Sequence, residues 1–295
     1  MTEIRPADIG PERAPGLDEK LRLHRRWLEG HVDGRQAKFW GTDLSGADLR
    51  GVVLREACLD GVVLSGADLR DSDLRYADLR MTNLRGADLR GVKFDRASLE
   101  GADLSDADLE GATLRMANLV ETLLNRANLR GADLEEANLT RASLEEACLQ
   151  RANLKRANLE RARLGKADLR DADLEDATLR RAYLEHADLE GANLADADLR
   201  GVDMIDANLA GANLDDSAWP LWIGSFAVRA DRRLAAQLAY HFCKLEFGDD
   251  PLCTEAQNAL VPLANEFHQI REGIRLSPIR RRLPTGDIKE EEVRQ

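Results

Sequence analysis

Aromatic residues are scarce, at 4% of 295 residues, with six Phe, three Tyr and four Trp. A core built on stacked rings is therefore excluded, and aliphatic side chains must fill the interior. Proline is absent from Gly16 to Trp219. Such a gap suits a backbone whose N–H groups are all needed for pairing. The four cysteines, Cys58, Cys148, Cys243 and Cys253, follow no framework spacing. Free thiols in a reducing compartment are the expectation. No run of about 18 apolar residues occurs, and Met1 to Gly16 is polar, with Pro6, Pro11 and Pro15. Neither a membrane span nor a signal peptide is expected, so the cytoplasm is the expected location. Positive charge is in deficit: 42 Lys and Arg against 54 Asp and Glu leave a net −12 and a pI near 5.0. Direct binding of nucleic acid needs a basic surface, so that class is set aside.

What is present in excess is one repeat. From Leu44 to Leu214 every fifth residue is Leu, except Phe94 and Met204, giving 35 positions without a frame break. Two residues earlier stands Ala in most pentads. The exceptions are small or β-branched: Thr42, Val52, Val62, Ser72, Thr82, Val92, Thr122 and Val202. The residue between is usually Asp or Asn, as in Ala47-Asp48-Leu49. A period of five fits neither an amphipathic helix nor a flat strand. A short extended piece with a turn in every pentad does fit. Small residue and Leu then share one side, two residues apart. Four quarter turns close a square coil, and coils stack Leu on Leu. The stack would be roughly 42 Å long at about 4.8 Å per coil. Leucine-rich repeats need 20–29 residues per unit, and calcium-binding nonapeptide repeats need a glycine pattern missing here.

These A(D/N)LXX pentads resemble the pentapeptide-repeat family, over about 60% of the chain. The resemblance implies an all-β solenoid, a right-handed quadrilateral β-helix. A solenoid needs closed ends. Leu17 to Gly30 reads as a short helix, with Leu17, Leu21, Trp27 and Leu28 apolar and Gly30 as its stop. Beyond Trp219-Pro220-Leu221-Trp222, Leu234, Leu238, Phe242 and Leu245 fall at helical spacing. A second helix starts with Asp250 as N-cap and Pro251 in first position, and carries Leu260, Leu263, Phe267 and Ile270. The division is a disordered tail over 1–16, a helical cap over 17–40, the β-helix over 41–218, a helical hairpin over 219–270 and a disordered tail over 271–295. The hairpin either caps the last coil or pairs two copies, since some family members dimerise through C-terminal helices.

No Gly-rich phosphate loop, nucleophile elbow or zinc-protease helix is found, so no enzyme and no cofactor are expected. His241, Cys243, Cys253 and His268 lack zinc-site spacing. Function is sought instead on outward positions. Residues 41–218 hold 36 acidic and 23 basic residues, and residues 171–218 hold 13 and 3. The latter comprise Asp171, Asp173, Glu175, Asp176, Glu185, Asp188, Glu190, Asp196, Asp198, Asp203 and Asp206 among others. Some pentapeptide-repeat proteins mimic DNA and bind DNA gyrase or topoisomerase IV, protecting it from quinolones or a producer's toxin. B-DNA carries one charge per about 1.7 Å, and only these last coils, at one per roughly 1.2 Å, reach that density. Arg50, Arg70 and Arg90 form a basic column 20 residues apart, which lowers the likeness to DNA. Tyr76, Met81, Met116, Val120 and Leu123 are outward yet apolar, and form a candidate partner site. The leading expectation is a protein-interaction scaffold with an unidentified partner. DNA mimicry is the alternative, and a small enzyme or metal site in the hairpin is the weaker one.

Overall fold

The computed structural model describes residues 16–218 and Val261. The expected tails, the hairpin over 219–270 (save Val261, which is helical and buried) and the four residues weighed for zinc lie outside the described residues.

Every pentad has the same backbone. The residue between the small residue and the Leu forms a single parallel bridge to the residue 20 positions on. There are 33 such bridges in unbroken sequence, from Lys38↔Cys58 to Asp198↔Ala218. A bridge every five residues with an offset of 20 means four faces per coil. We name them by their central residues: face I runs Leu44 to Met204, face II Leu49 to Leu209, face III Leu54 to Leu214, and face IV Phe39 to Leu199. Continuous strands, as an all-β chain would suggest, do not form among the described residues. Two of the five residues make each corner, so only one residue per face bonds in both directions.

The backbone accounting explains the repeat. Leu49 N–H donates to Asp68 O at 2.7 Å, and Asp68 N–H to Ala47 O at 3.0 Å. Gly51 N–H donates to Arg70 O at 2.9 Å, and Val52 N–H closes the corner on Leu49 O at 3.3 Å. That satisfies four of five N–H groups. The fifth, on the residue after the Leu, faces outward. At all 23 pentads with Asp or Asn at the bridge residue, the side-chain Oδ1 accepts it, at 2.9–3.4 Å. This is an Asx turn, and it is why Asp and Asn dominate that position.

The corner residue that follows has positive φ at every pentad from Gly41 to Asp216. Thirteen are Gly and 23 are not, the latter at φ 54–62°. A left-handed side-chain-bearing residue costs about 1 kcal/mol, so the ladder on both sides must hold each corner in place.

Inside, the central residues are 0–3% exposed, and the small residues are equally buried from Ala57 onward. The three fully buried hydroxyls at small positions are spent inward: Ser72 Oγ donates to Leu69 O at 2.6 Å, Thr82 Oγ1 to Leu59 O at 2.8 Å and Thr122 Oγ1 to Leu99 O at 2.9 Å. Each hydroxyl thus occupies a buried site without an unsatisfied donor.

The ladder begins one pentad earlier than the sequence suggested. Ala37-Lys38-Phe39 is a full repeat, with Phe39 1% exposed in the Leu place and Lys38 bridged to Cys58. The boundary at 41 is therefore corrected to Ala37; Phe serves as centre here as it does at Phe94.

Before it lies helix α1, Leu17–Leu28. It ends as Gly30 implied. Gly30 has φ 77°, with Gly30 N–H on Trp27 O at 3.0 Å and His31 N–H on Arg26 O at 2.9 Å, a Schellman closure. The chain then folds back on α1 so tightly that a Cβ on Gly34 would lie 2.2 Å from Trp27 N. Leu23 O accepts Arg35 N–H at 3.0 Å, and the buried His24 accepts Ala37 N–H on Nδ1 at 3.1 Å. Lys20 Nζ sits 5.1 Å above the Phe39 ring.

Candidate functional site

With the interior filled, three outward positions per pentad remain: the bridge residue, the residue after the Leu, and the corner. On them the structure sorts each set of candidate residues.

Arg50, Arg70 and Arg90 leave face II in one column, but it is not a basic surface. Each guanidinium grips the Asp two residues before it, with Arg50–Asp48 at 2.6 Å, Arg70–Asp68 at 2.6 Å and Arg90–Asp88 at 2.5 Å. Each Nε also approaches the Asp of the next coil, Asp68, Asp88 and Asp108, at 3.3–3.6 Å. The column is a neutral ladder of alternating sign. Hydrogen bonds from Arg70 and Arg90 hold the Asp68 and Asp88 carboxyls below the usual range, against the opposing effect of partial burial.

The eleven acidic residues are of three kinds. Asp173, Asp188, Asp198 and Asp203 hold Asx turns. Glu175, Glu185 and Glu190 follow the centre of their pentads. Asp171, Asp176, Asp196 and Asp206 are corners. The net acidic density of these last coils is offset by the coil beneath. Residues 151–170 hold seven basic and two acidic residues, and residues 171–190 hold seven acidic and two basic. Stacked, they neutralise each other: Arg151–Asp171 at 3.8 Å, Lys155–Asp173 at 3.2 Å, Lys155–Glu175 at 2.9 Å and Arg170–Asp188 at 3.5 Å. Hydrogen bonds to Glu175 and then Asp173 raise the Lys155 ammonium above the usual lysine range. Above them Asp198 is held by Arg180 and Arg200, both at 2.5 Å, and Asp206 lies 3.7 Å from His186. Asp176, Glu185, Asp196 and Asp203 have no cation within ion-pairing distance among the described residues.

The apolar candidates divide between two corners of face IV. Tyr76 and Met116 share the corner entering it, 52% and 48% exposed, with Arg96 between them. The Arg96 guanidinium lies 5.7 Å from the Tyr76 ring centroid. Met81 is on the corner leaving face IV, and its Sδ extends along the stack axis over Gly101. That directs it toward the coil of the half-buried Val120, and the exposed Leu123 follows on face I. Two small groups flanking a polar face thus replace a single patch. Exposed Trp40, Tyr183 and Ile205 were not singled out from the sequence. Sorting outward residues by their place in the 20-residue coil would have found them.

Among the described residues no cluster of His, Cys, Asp or Glu is placed to hold a metal ion, and no helix is long and apolar enough to cross a membrane.

The family model for pentapeptide repeats matches in eight copies, within residues 35–216. The chain belongs to the pentapeptide-repeat family. Its members fold as right-handed β-helices, and the nine coils here are of that architecture. Among solved structures it is similar to HetL from the cyanobacterium Nostoc sp. strain PCC 7120, a pentapeptide repeat protein involved in heterocyst differentiation regulation. The identity is 31%, over 70% of this chain and 94% of that one, with a TM-score of 0.47. Full-length QnrB1, a plasmid-mediated fluoroquinolone resistance protein, is 22% identical over 70% of this chain and 98% of its own, with a TM-score of 0.33. A pentapeptide repeat protein of the Arabidopsis thaliana thylakoid lumen is 34% identical over 37% of this chain and 66% of its own, with a TM-score of 0.23. No curated protein matches the chain. The family model and these structures indicate no catalytic family.

Proposed function

We propose that this pentapeptide-repeat protein is a non-catalytic scaffold that presents a rigid coil surface to a protein partner in the cytoplasm. The observation that carries this reading is where the exceptions to the repeat fall. The inward positions are aliphatic or small save Phe39 and Phe94, whereas Tyr76, Met81, Met116 and Leu123 stand 42–68% exposed where most pentads carry polar residues. Exposed apolar side chains on an otherwise charged surface mark contact sites. α1 would cap the first coil, leaving its edge unable to pair with another chain. The hairpin over 219–270 would cap the last coil or join two copies.

The test compares the wild type with a Met116→Ser, Val120→Ser, Leu123→Ser triple variant, by crosslinking in lysate and mass spectrometry. A partner captured by the wild type and lost by a variant with unchanged circular dichroism supports the scaffold. The same partner held equally by both would refute that site.

A second reading, mimicry of DNA toward gyrase or topoisomerase IV, draws on the Asp176, Asp196 and Asp216 corner column, which stacks three carboxylates on three successive coils. Against it stands the neutralisation of Asp171, Asp173, Glu175 and Asp188 by the basic coil below. Gyrase supercoiling, with and without a quinolone at low and physiological salt, decides it. Salt-sensitive inhibition or protection supports mimicry, and no effect at micromolar protein removes it.

A further inference from the structure

Face I departs from the repeat in a way the other faces do not. At four successive coils its bridge residue is neither Asp nor Asn: Leu123, Ser143, Arg163 and Tyr183. Elsewhere no more than two successive coils of a face give up the Asx turn. The outward N–H that the Asp side chain takes in other pentads is therefore released along this stretch. Asn125 Oδ1 reclaims one, on Glu145, at 3.0 Å. The N–H of Gly165 finds no acceptor among the described residues.

Gly165 itself needs an explanation. Of the 35 residues that follow a central residue from Ser45 to Asp215, it is the single glycine. Its φ is not positive, so the backbone does not demand glycine. A Cβ would meet only Glu185 O, at 3.8 Å, an ordinary contact. The folded chain has room for a side chain there and does without one. Glycine placed where neither conformation nor packing requires it suits close approach from outside.

The surroundings say what would approach. Arg161, Arg163 and Lys166 stand in the same coil as this bare donor. Arg163 is spent on Glu145, at 2.5 Å. Arg161 has only Glu160, at 3.9 Å, and Lys166 has no carboxylate within ion-pairing distance among the described residues. Four other corner cations meet an acid of a neighbouring coil: Arg126 meets Asp106 at 2.7 Å, Arg141 meets Glu121 at 3.1 Å, Arg151 meets Asp171 at 3.8 Å and Arg156 meets Glu135. Arg161 instead stacks between Arg141 and Arg181. The Arg181 side chain lies over Gly201 without an acidic partner among the described residues. Like charges stacked one coil apart, about 4.8 Å, repel until an anion is placed beside them. Exposed Tyr183, one coil above Arg163, adds an apolar platform.

We propose that the Gly165 notch on face I receives a carboxylate of an acidic, partly apolar segment of the protein partner. Gly165 N–H, Arg161 and Lys166 hold the anion, while Tyr183 packs a neighbouring apolar side chain. Residues 151–170 hold seven basic and two acidic residues, so an acidic segment short enough to lie along this coil meets positive charge, while a longer polyanion runs onto the acidic coil above. This deepens the scaffold reading and rests on it, but uses a different surface from Met116 and Val120.

The experiment uses the full chain and a fluorescein-labelled eight-residue peptide alternating Glu and Leu, read by fluorescence anisotropy. A single-stranded oligonucleotide of eight nucleotides and inorganic phosphate are run alongside. Saturable peptide binding by the wild type is expected, weakened at least tenfold in Gly165→Leu and in Arg161→Gln, with unchanged circular dichroism and thermal midpoint. A Met116→Ser, Val120→Ser variant separates the two readings, because it should leave this peptide's affinity within twofold. No saturable binding to the wild type, equal affinity in Gly165→Leu, or tighter binding of the oligonucleotide than of the peptide would each overturn the proposal.

Discussion

Asp95 reaches one coil forward and accepts the backbone N–H of Arg115 on Oδ1 at 3.2 Å, while its Oδ2 takes the Thr113 hydroxyl at 2.9 Å. The pentad of Arg115 has Thr113 where an Asp would have made the Asx turn, so the coil beneath supplies the missing acceptor. Asn125 does the same for Glu145 and Ser143, at 3.0 and 2.8 Å.

Asp95→Ala should therefore destabilise the β-helix by about 1–2 kcal/mol, since it strands two donors rather than one. Urea unfolding followed by circular dichroism measures it. The double variant Asp95→Ala, Thr113→Asp should recover much of the loss by restoring a local Asx turn. A null effect of Asp95→Ala would show that water replaces the bond without cost.

The Asp68 and Asp88 carboxyls are held below their usual range by hydrogen bonds from Arg70 and Arg90. Their folded values lie below the unfolded one, so the stabilisation is complete above about pH 4 and is lost as pH falls through the folded values. The urea midpoint should drop more steeply below pH 4 in the wild type than in Asp68→Asn, Asp88→Asn. Parallel curves for the two proteins would contradict the ladder.

His24 Nδ1 accepts the Ala37 N–H, so that nitrogen carries no proton, and the buried Nε2 has no hydrogen-bond partner among the described residues. Burial pushes the imidazole below its usual range, partly offset by the Arg55 backbone and Glu56. The folded value again lies below the unfolded one, so stability is complete above about pH 6.5 and is lost as pH falls toward the folded value. Protection factors of residues 17–41, corrected for the intrinsic pH dependence of amide exchange, should fall between pH 7 and 5 while those of residues 100–180 do not. Uniform behaviour of both segments would remove His24 as the cause.

Gly34→Ala should loosen the same end, because its Cβ would collide with the Trp27 backbone. A loss of about 2 kcal/mol or more, confined to α1 and the first coil, is expected. Gly131→Val is the contrasting case. Nothing lies within 4 Å of its added Cβ, but its φ is 62°. It should cost about 1–2 kcal/mol through the backbone alone, and a thermal melt that matches wild type would refute the corner argument.

The residues determined by themselves the five-residue period, the inward Leu and small side chains, the four-sided coil and α1. All of these are local, because one pentad repeated without a frame break permits a single solution. The tertiary structure decided what the outward residues do. Arg50, Arg70 and Arg90 read as a basic column until Asp48, Asp68, Asp88 and Asp108 are seen gripping them. The acidic run after Asp171 read as one surface until the cations of the preceding coil were stacked beneath it. Such pairings join residues two or 18–20 positions apart through freely rotating side chains, and composition does not say which partner a guanidinium chooses. The Asx turn and the left-handed corner were visible as Asp, Asn and Gly preferences, but their cause is the one N–H per pentad that the coil ladder leaves unbonded. Gly165 carries meaning only once its backbone angle and empty surroundings are known.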